Sequence, residues 1–211
     1  MAQYISYAIL ACNEHEELNK LLTKLYDKIR PDDEVIVLLD TNNFTKEVED
    51  ICKKYMSLNN FKYYFNPLNK DFANQKNELK NLCTKDWIFN IDADEYPPDL
   101  LIDNINDILE LNVDVDLIAV PRVNKVIGLT QDHVNKWGWR VDELGRVNYP
   151  DFQLRLFKNV SYIKWDGKVH EKPIGWKTGT HLPYESDDFA LIHIKEISRQ
   201  EKQNSLYDTI S

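Results

Sequence analysis

Near its middle the chain reads Trp87-Ile88-Phe89-Asn90-Ile91-Asp92-Ala93-Asp94-Glu95, an apolar run of strand length that ends in three carboxylates. A strand that is buried for most of its length can expose such charges only at its end, so we expect the acidic residues to lie at the edge of a sheet. Asp92 and Asp94 are two residues apart, so on a continuing strand they would face the same side and could share one divalent cation. The alternative is structural, because Asp94 or Glu95 ahead of Pro97-Pro98 could serve only to cap the next helix.

Strand and helix patterns alternate on the N-terminal side of this stretch. Strands are predicted at the apolar or β-rich runs over residues 4–11, 35–39 and 62–65. Apolar residues at helical spacing follow each run, and we expect Asn13 with Glu16 to start the first helix and Asp71 to cap the third. Three successive strand–helix units predict an α/β fold with a mostly parallel, Rossmann-like central sheet flanked by helices.

The pattern changes on the C-terminal side. A helical stripe over residues 100–109 and a strand at 117–120 precede residues 124–150, where Trp137 and Trp139 stand among scattered charges. Such a segment is typical of an excursion over a binding crevice and equally of a packed surface loop. Further strands are predicted over residues 149–157, 162–165 and 189–194, the second pairing with the first, and a polar helix over 198–210.

Composition limits the class of protein. The 211 residues, 43% of them hydrophobic, are enough for one compact domain, and no apolar run approaches the roughly 20 residues that span a bilayer. Cys12, Cys52 and Cys83 are odd in number and widely spaced, which favours free buried thiols and a cytoplasmic location. We find no secretory signal. A net charge of -9 disfavours nucleic acid as a partner.

The strand ends together predict a binding crevice. Polar residues follow three strands, at Ala11-Cys12-Asn13-Glu14, at Asp40 and at Asp92-Ala93-Asp94. In open parallel sheets ligands bind beyond the carboxyl ends of the strands. With only 6 glycines and none in the first strand-to-helix turn, the chain lacks both the dinucleotide fingerprint and a Walker phosphate loop. A phosphatase with a strand-end Asp nucleophile is disfavoured because Tyr96 stands where a Thr hydroxyl is normally found.

A second charged cluster lies within residues 151–171. Glu171 and Asp151 are candidates for a general base, and Arg155 and Lys168 for a cation that binds phosphate. A salt-bridged hairpin without catalytic function is the alternative. His193, between Ile192 and Ile194, has on residue type alone the features of a core histidine.

Together these motifs resemble the nucleotide-sugar glycosyltransferases of family 2, whose fold is called GT-A. The resemblance covers nearly the whole chain. Its motifs are Cys12-Asn13-Glu14, Asp40, the segment from Asp71 to Asn77 with Lys76 in place of the usual Arg, the DxD motif Asp92-Ala93-Asp94 followed by Glu95, His193, Ser198-Arg199 and Lys202. Residues 149–157 and 165–171 resemble the branch of the family that works on lipopolysaccharide cores and similar glycans.

The resemblance implies a role for each residue. The implied nucleotide-sugar-binding residues are Ala11, Asn13, Glu14, Asp40, Lys76, Asn77, Asp92, Ala93 and Arg155. The implied metal ligands are Asp94 and His193, with Asp92 meeting both the ribose and the metal, and this reverses the core interpretation of His193. The implied catalytic base is Glu171, with Asp151 as second choice.

The implied activity is that of an inverting, metal-dependent glycosyltransferase. It would use Mn²⁺ or Mg²⁺ and move a sugar from a nucleotide-diphosphate donor, first of all a UDP-sugar, to a hydroxyl of a glycan or another acceptor. Residues 1–121 would form the nucleotide-sugar-binding half of one domain, and residues 122–211 a smaller mixed-strand half that completes the metal site and faces the acceptor. The alternatives are a non-catalytic nucleotide-sugar or glycan-binding module and a sugar-nucleotide hydrolase, and the sequence does not fix the oligomeric state.

Overall fold

A computed structural model describes residues 2–208 of the chain, with the side chains of residues 2–204. Its first part contains three strand–helix units and a fourth strand, as predicted. These elements are β1 (Ile5–Ala11), α1 (His15–Lys28), β2 (Glu34–Asp40), α2 (Lys46–Tyr55), β3 (Phe61–Asn66), α3 (Phe72–Leu82) and β4 (Trp87–Asp92). The acidic stretch therefore lies where an inner strand ends.

Short strands and three helices make up the rest of the described chain. They are β5 (Glu95–Tyr96), α4 (Asp99–Leu111), β6 (Leu117–Val120), β7 (Arg122–Ile127), α5 (Gln131–Trp137), β8 (Gln153–Lys158), β9 (Lys164–Asp166), β10 (Lys172–Ile174), β11 (Gly179–His181), a 3-10 turn at Asp187–Phe189, β12 (Leu191–Glu196) and α6 (Ile197–Asp208). No helix within residues 2–208 combines the length and the apolar character needed to cross a bilayer.

The central sheet has seven strands in the order β11-β6-β8-β4-β1-β2-β3. Strands β4, β1, β2 and β3 run parallel, whereas β8 is antiparallel to both β4 and β6. The register pairs Leu10 with Asp92 and Asp40 with Asn66, so the carboxyl ends of the parallel strands meet at one edge. This arrangement confirms the predicted mostly parallel α/β sheet.

A smaller sheet of three strands, in the order β5-β12-β7, stands beside that edge. Strand β12 is antiparallel to β5 and parallel to β7, which sets His193 opposite Glu95 on one side and Asn124 on the other. His193 is thereby a neighbour of two residues that stand 98 and 69 positions before it in the chain. The small sheet positions part of the candidate site.

The core follows the apolar pattern of the sequence. All seven residues of β2 are buried, as expected for a strand covered by helices on both faces. Helix α1 buries Leu18, Leu21, Leu22 and Leu25 on one stripe. Burying each such leucine contributes about 2 kcal/mol relative to leaving it in water.

The N-cap residue predicted from the sequence is confirmed for one helix and wrong for another. Asp71 caps α3 as predicted, because its side chain accepts a hydrogen bond from the Asn74 amide at 2.9 Å. The prediction for α1 was wrong, since its N-cap residue is Glu14 rather than Asn13. The Glu14 carboxylate accepts hydrogen bonds from the Cys12 and Asn13 amides, which close the turn ahead of the helix.

The C-terminal half differs from the sequence prediction in three places. The strand expected over residues 149–157 begins only at Gln153, because Asp151 has a positive φ that interrupts extended backbone. The segment at 162–165 does not pair with it, since β9 instead forms a hairpin with β10. The excursion at 124–150 contains helix α5. Helix α6 covers the predicted polar helix as far as Asp208, and the rest of that prediction lies outside the described residues.

Candidate active site

Arg155 on β8 joins two of the three carboxylates that follow β4. Its guanidinium donates to Asp92 Oδ1 at 3.0 Å, contacts Asp92 Oδ2 and lies 3.3 Å from Glu95 Oε1. Only 4% of Arg155 is exposed. Burial by itself would lower the pKa of Arg155, but the charges of Asp92 and Glu95 outweigh burial and raise it. The arginine therefore stays charged beneath the crevice.

Asp92 is held as a carboxylate at the floor of the crevice. Burial would raise its pKa, but Arg155 and then Lys76 outweigh that effect and hold the pKa of Asp92 well below its ordinary value. Lys76 Nζ lies 3.9 Å from Asp92 Oδ1. The side chain remains 35% exposed, so a ligand can still reach it.

Glu95 is the most deeply buried carboxylate of the site, with 1% of the residue exposed. It accepts a hydrogen bond from the Asp92 amide at 3.1 Å and lies 2.8 Å from Arg122 Nη1. Since it also contacts Arg155, Glu95 holds two arginines and the end of β4 in one arrangement. An isolated buried charge would be costly, and these partners offset that cost.

Asp151 is fixed by two side chains from β7. Its Oδ2 atom accepts from Arg122 Nε at 2.9 Å and from Asn124 Nδ2 at 2.6 Å. Both contacts are made by the same oxygen, and the side chain is 27% exposed. Asp151 thus lies at the crevice as an oriented carboxylate.

Asn124 links Asp151 to His193. Because its Nδ2 donates to a carboxylate, its Oδ1 is left to accept a hydrogen bond from His193 Nδ1, at 2.8 Å. The hydrogen on Nδ1 directs His193 Nε2 towards Asp94 Oδ2, 3.3 Å away. Burial opposes the charge of Asp94, but the hydrogen bond and the charge of His193, together with the charge of Arg199, outweigh it and lower the pKa of Asp94. The imidazole is therefore oriented from both sides.

Asp94 and His193 are the side chains best placed for a divalent cation. One carboxylate oxygen and one imidazole nitrogen suit Mn²⁺, with a diphosphate and water completing the shell. Within residues 2–208, no group of three or more His, Cys, Asp and Glu side chains is placed to hold a metal ion. Asp92, the third predicted ligand, contacts Arg155 and Lys76 instead. Arg199 Nη2 lies 3.6 Å from Asp94 Oδ2.

Glu171 lies on the other side of Asp92, across Lys76. Lys76 Nζ is 2.6 Å from Glu171 Oε1 and also stands over the Trp165 ring at 4.4 Å. The structure thus brings the predicted base next to a predicted donor-binding lysine. Asn77 does not face the crevice carboxylates in the same way, because its side-chain amide donates to and accepts from the Trp165 backbone.

The predicted nucleotide-binding opening lies at the ends of β1 and β2. Glu14 Oε1 accepts from Arg199 Nη2 at 3.2 Å, which brings the start of α6 over the start of α1. Asp40 accepts from the amides of Asn42 and Leu68, so its carboxylate orders two loops. Ala11 and Ala93 are buried in the core beside these ends.

Three residues of this network were missed by the sequence interpretation. Glu95 was named only as part of the acidic stretch and as a candidate helix cap, and Arg122 and Asn124 were not singled out. A signal exists for the last two, because polar residues two apart on a strand share a face. With them the site forms an unbroken series of contacts through Asp94, His193, Asn124, Asp151, Arg122, Glu95, Arg155, Asp92, Lys76 and Glu171.

Solved structures with a similar fold support this architecture. The crystal structure of S. aureus TarS 1-349 in complex with UDP-GlcNAc is similar with a TM-score of 0.64 and 13% identity, over 92% of this chain and 58% of that one. The mannosyltransferase PcManGT from Pyrobaculum calidifontis, in complex with GDP-Man and Mn²⁺, gives a TM-score of 0.59 and 13% identity, over 92% and 57% of the two chains. This chain therefore spans under two thirds of their length, and the likeness is one of fold.

The sequence itself matches a family model. No curated protein sequence matches the chain. The model described as glycosyl transferase family 2 matches residues 6–168, which include the ends of β1, β2 and β4 with Asp151 and Arg155. Glu171 and His193 lie beyond the match and reach the site through the fold. Since the matched residues are well over half of the chain, the chain belongs to glycosyl transferase family 2.

Proposed function

We propose that this chain transfers a sugar from a nucleotide-diphosphate donor to an acceptor hydroxyl with inversion of configuration. The observation that carries the proposal is that two pairs of polar side chains lie together at one edge of the central sheet. Asp94 and His193 form one pair, and Asp92 with Lys76 forms the other, with Glu171 next to it. The carboxylate oxygen of Asp94 and the imidazole nitrogen of His193 suit a divalent cation bound to a diphosphate. The ammonium group of Lys76 suits a phosphate oxygen of the donor, and the carboxylate of Asp92 suits a sugar hydroxyl.

The donor is proposed to be a UDP-sugar that lies over the ends of β1, β2 and β4. The complexes of TarS with UDP-GlcNAc and of PcManGT with GDP-Man show that proteins of this fold bind nucleotide sugars, and the first of them is a UDP-sugar. The proposed contacts are those predicted from the sequence, at Ala11, Asn13, Glu14, Asp40, Lys76, Asn77, Asp92, Ala93 and Arg155. Asp92 is the best supported of them, because it is charged, oriented and still accessible.

We propose Mn²⁺ or Mg²⁺ as the cofactor, held by Asp94 and His193. When bound, the ion would neutralise negative charge that develops on the departing nucleotide diphosphate. Asn124 keeps a hydrogen of His193 on Nδ1, so the ion would bind at Nε2, in place of the hydrogen that Nε2 donates to Asp94. Asp92 would orient the donor rather than complete a three-residue protein site.

A carboxylate is proposed to take the proton of the attacking hydroxyl. The acceptor oxygen forms a bond with the anomeric carbon while the bond from that carbon to the phosphate oxygen breaks on the opposite face. The proton passes to Glu171 or Asp151, and the nucleotide diphosphate leaves. Glu171 is our first choice because it lies beside the donor-binding Lys76, at 2.6 Å. Asp151 is the second, because Arg122 and Asn124 orient its carboxylate at the crevice.

Two isosteric variants separate these carboxylates. Glu171→Gln is expected to lower kcat by about 10²–10⁴-fold with little change in donor affinity, since an amide cannot accept the proton. Asp151→Asn is expected to lower kcat less, by weakening the contacts to Arg122 and Asn124. The measurement is steady-state kinetics of both variants together with donor titration. A larger kcat loss in Asp151→Asn than in Glu171→Gln would assign the base to Asp151.

The proposal is tested by nucleotide release from UDP-, GDP-, TDP- and CDP-sugars, with and without Mn²⁺ and with added glycan acceptors. We expect release from a UDP-sugar that depends on Mn²⁺ and increases with acceptor. Release that is insensitive to every acceptor would instead indicate a sugar-nucleotide hydrolase. Binding of the donor without release would indicate a non-catalytic module. Neither outcome is compatible with a transferase.

Three finer expectations belong to the same proposal. Residues 149–157 and 165–171 are proposed to place the chain in the branch that works on lipopolysaccharide cores and similar glycans. Residues 1–121 and 122–211 are proposed to act as the donor half and the acceptor half of one domain. The location is proposed to be cytoplasmic, because Cys52 and Cys83 are buried free thiols whose pKa values burial raises to about 12.

A further inference from the structure

Three aromatic rings meet at the surface beside Asp151. Phe152, His181 and Tyr184, here called the aromatic platform, have ring centroids 5.0 to 5.7 Å apart. Phe152 is 38% exposed and Tyr184 41% exposed, and His181 is also exposed. Single exposed apolar residues are ordinary, but a contiguous group of aromatic rings in water indicates a binding surface.

The platform is held firmly at the crevice. Tyr149 Oη donates to the Tyr184 carbonyl at 2.7 Å, and the Leu182 amide donates to the Ala119 carbonyl at 2.9 Å. These bonds tie the segment after β11 to the end of β6 and to the start of β8. Phe152 directly follows Asp151, a candidate base of the proposed reaction. A molecule on the platform would therefore lie next to that carboxylate.

The ring geometry suits a sugar. Phe152 and Tyr184 stand at an interplanar angle of 85°, so the edge of one ring meets the face of the other, and both side chains stay partly exposed. A hexopyranose carries C–H groups on its ring face and hydroxyl groups around its rim. Its C–H groups pack against aromatic faces, while the hydroxyls stay within reach of polar groups at the edge.

The surrounding charges select against an anionic ligand. Glu185, Asp187 and Asp188 follow the platform in the chain. Arg146 is paired with both Asp142 and Asp187, at 2.6 Å each, so this one cation is shared by two carboxylates, and Glu185 and Asp188 add to the negative charge. A phosphate-bearing glycan or a nucleic acid would meet repulsion here, whereas a neutral sugar would not.

We propose that the aromatic platform binds a neutral hexopyranose of the acceptor, which makes the acceptor an uncharged glycan. The inference rests on the proposed sugar transfer, because that reaction requires an acceptor hydroxyl near Asp151 or Glu171. It assigns Phe152 and Tyr184 to acceptor binding. The donor is bound elsewhere, at the ends of β1, β2 and β4.

The test is saturation-transfer difference NMR on the full chain without donor. The probes are the methyl β-glycosides of glucose, galactose and N-acetylglucosamine, with glucose 6-phosphate as the anionic counterpart. We expect magnetisation transfer to the ring-face protons of at least one neutral glycoside and at least about fivefold weaker transfer to glucose 6-phosphate. Phe152→Ala and Tyr184→Ala should each weaken transfer to the neutral sugar about fivefold, whereas Tyr184→Phe should retain it.

Trp176→Ala is the matched control. Trp176 is 39% exposed and precedes β11, at the opposite end of that strand from His181. Its removal is expected to leave the signal unchanged. Thermal unfolding of each variant checks the fold, and Tyr184→Ala decides the question where Phe152→Ala does not fold.

The proposal is overturned when no neutral glycoside gives a signal, when the signal survives both alanine variants, or when glucose 6-phosphate binds as well as the neutral sugars. The two proposals fail separately. Sugar binding that depends on Phe152, without nucleotide release from any donor, would contradict the transfer reaction and support the platform. Nucleotide release combined with sugar binding that is independent of Phe152 would do the reverse.

Discussion

Asp94→Ala is expected to lower sugar transfer by about a thousandfold and to abolish its dependence on Mn²⁺. The carboxylate lies 3.3 Å from His193 Nε2, and this is the only proposed pair of protein ligands for the ion. With the carboxylate removed, a lone imidazole cannot retain the cation at the diphosphate. The fold should persist at a cost of no more than about 2 kcal/mol, because Arg199 keeps its contacts with Glu14 and Glu17.

Two measurements check this expectation independently. Isothermal titration with Mn²⁺ in the presence of UDP should show binding to the native chain and not to Asp94→Ala, and nucleotide release should follow the same order. The matched control is Asp103→Ala, which removes an exposed carboxylate paired with Lys28 at 3.1 Å. Its kinetics should equal those of the native chain. Metal-dependent turnover retained in Asp94→Ala would refute the proposed metal site.

Arg155→Met should destabilise the fold by about 3–5 kcal/mol, because it leaves Asp92 and Glu95 beneath the crevice without their shared cation. For a chain of this length the melting temperature should fall by about 10 °C. Denaturant unfolding of both proteins measures the difference directly. Arg140→Met is the control, since Arg140 is exposed, and it should change stability by no more than about 0.5 kcal/mol.

The Arg155→Met effect should depend on pH in a defined direction. In the native chain Arg155 keeps the pKa of Asp92 below its unfolded value of about 3.9, so that contribution to stability is present above about pH 4 and lost as the pH falls further. In the variant, burial without the cation should raise the pKa of Asp92 above its unfolded value. Protonation of Asp92 then relieves the cost of burying its charge. The stability gap should be smaller at pH 5 than at pH 7, and a gap that grows would contradict this account.

Local patterns in the sequence predicted much of the architecture. Apolar periodicity identified β1 to β4 and the helices between them, because burial of one face or of a whole strand dictates residue type over a few positions. The residue pattern of a short segment did not predict which strand that segment pairs with. Residues 162–165 have strand composition, yet β9 pairs with β10 and not with β8. The loops 159–163 and 167–171 are equally long, so loop length does not select the partner and the packing of the whole chain does.

Some features of the candidate site were likewise predictable from the sequence, and others were not. Strand-end position predicted that Asp40 and Asp92 would lie at one edge, and the register confirms this placement. Their partners were not predictable from spacing. Arg155 reaches Asp92 from 63 positions along the chain, and His193 reaches Asp94 from 99. The proposed roles of these residues remain predictions until the variants above are measured.

By itself, then, the sequence determined that a parallel α/β sheet exists and that its carboxyl edge is acidic, since both follow from local hydrophobicity and from the exposure of charge at strand ends. Tertiary structure alone decided which charges neutralise one another. Asn124 bridges Asp151 and His193, and Glu95 joins Arg122 to Arg155, because β7, β12 and β5 pair in one particular register. Such pairing depends on the packing of the whole chain, which no short stretch of residues encodes.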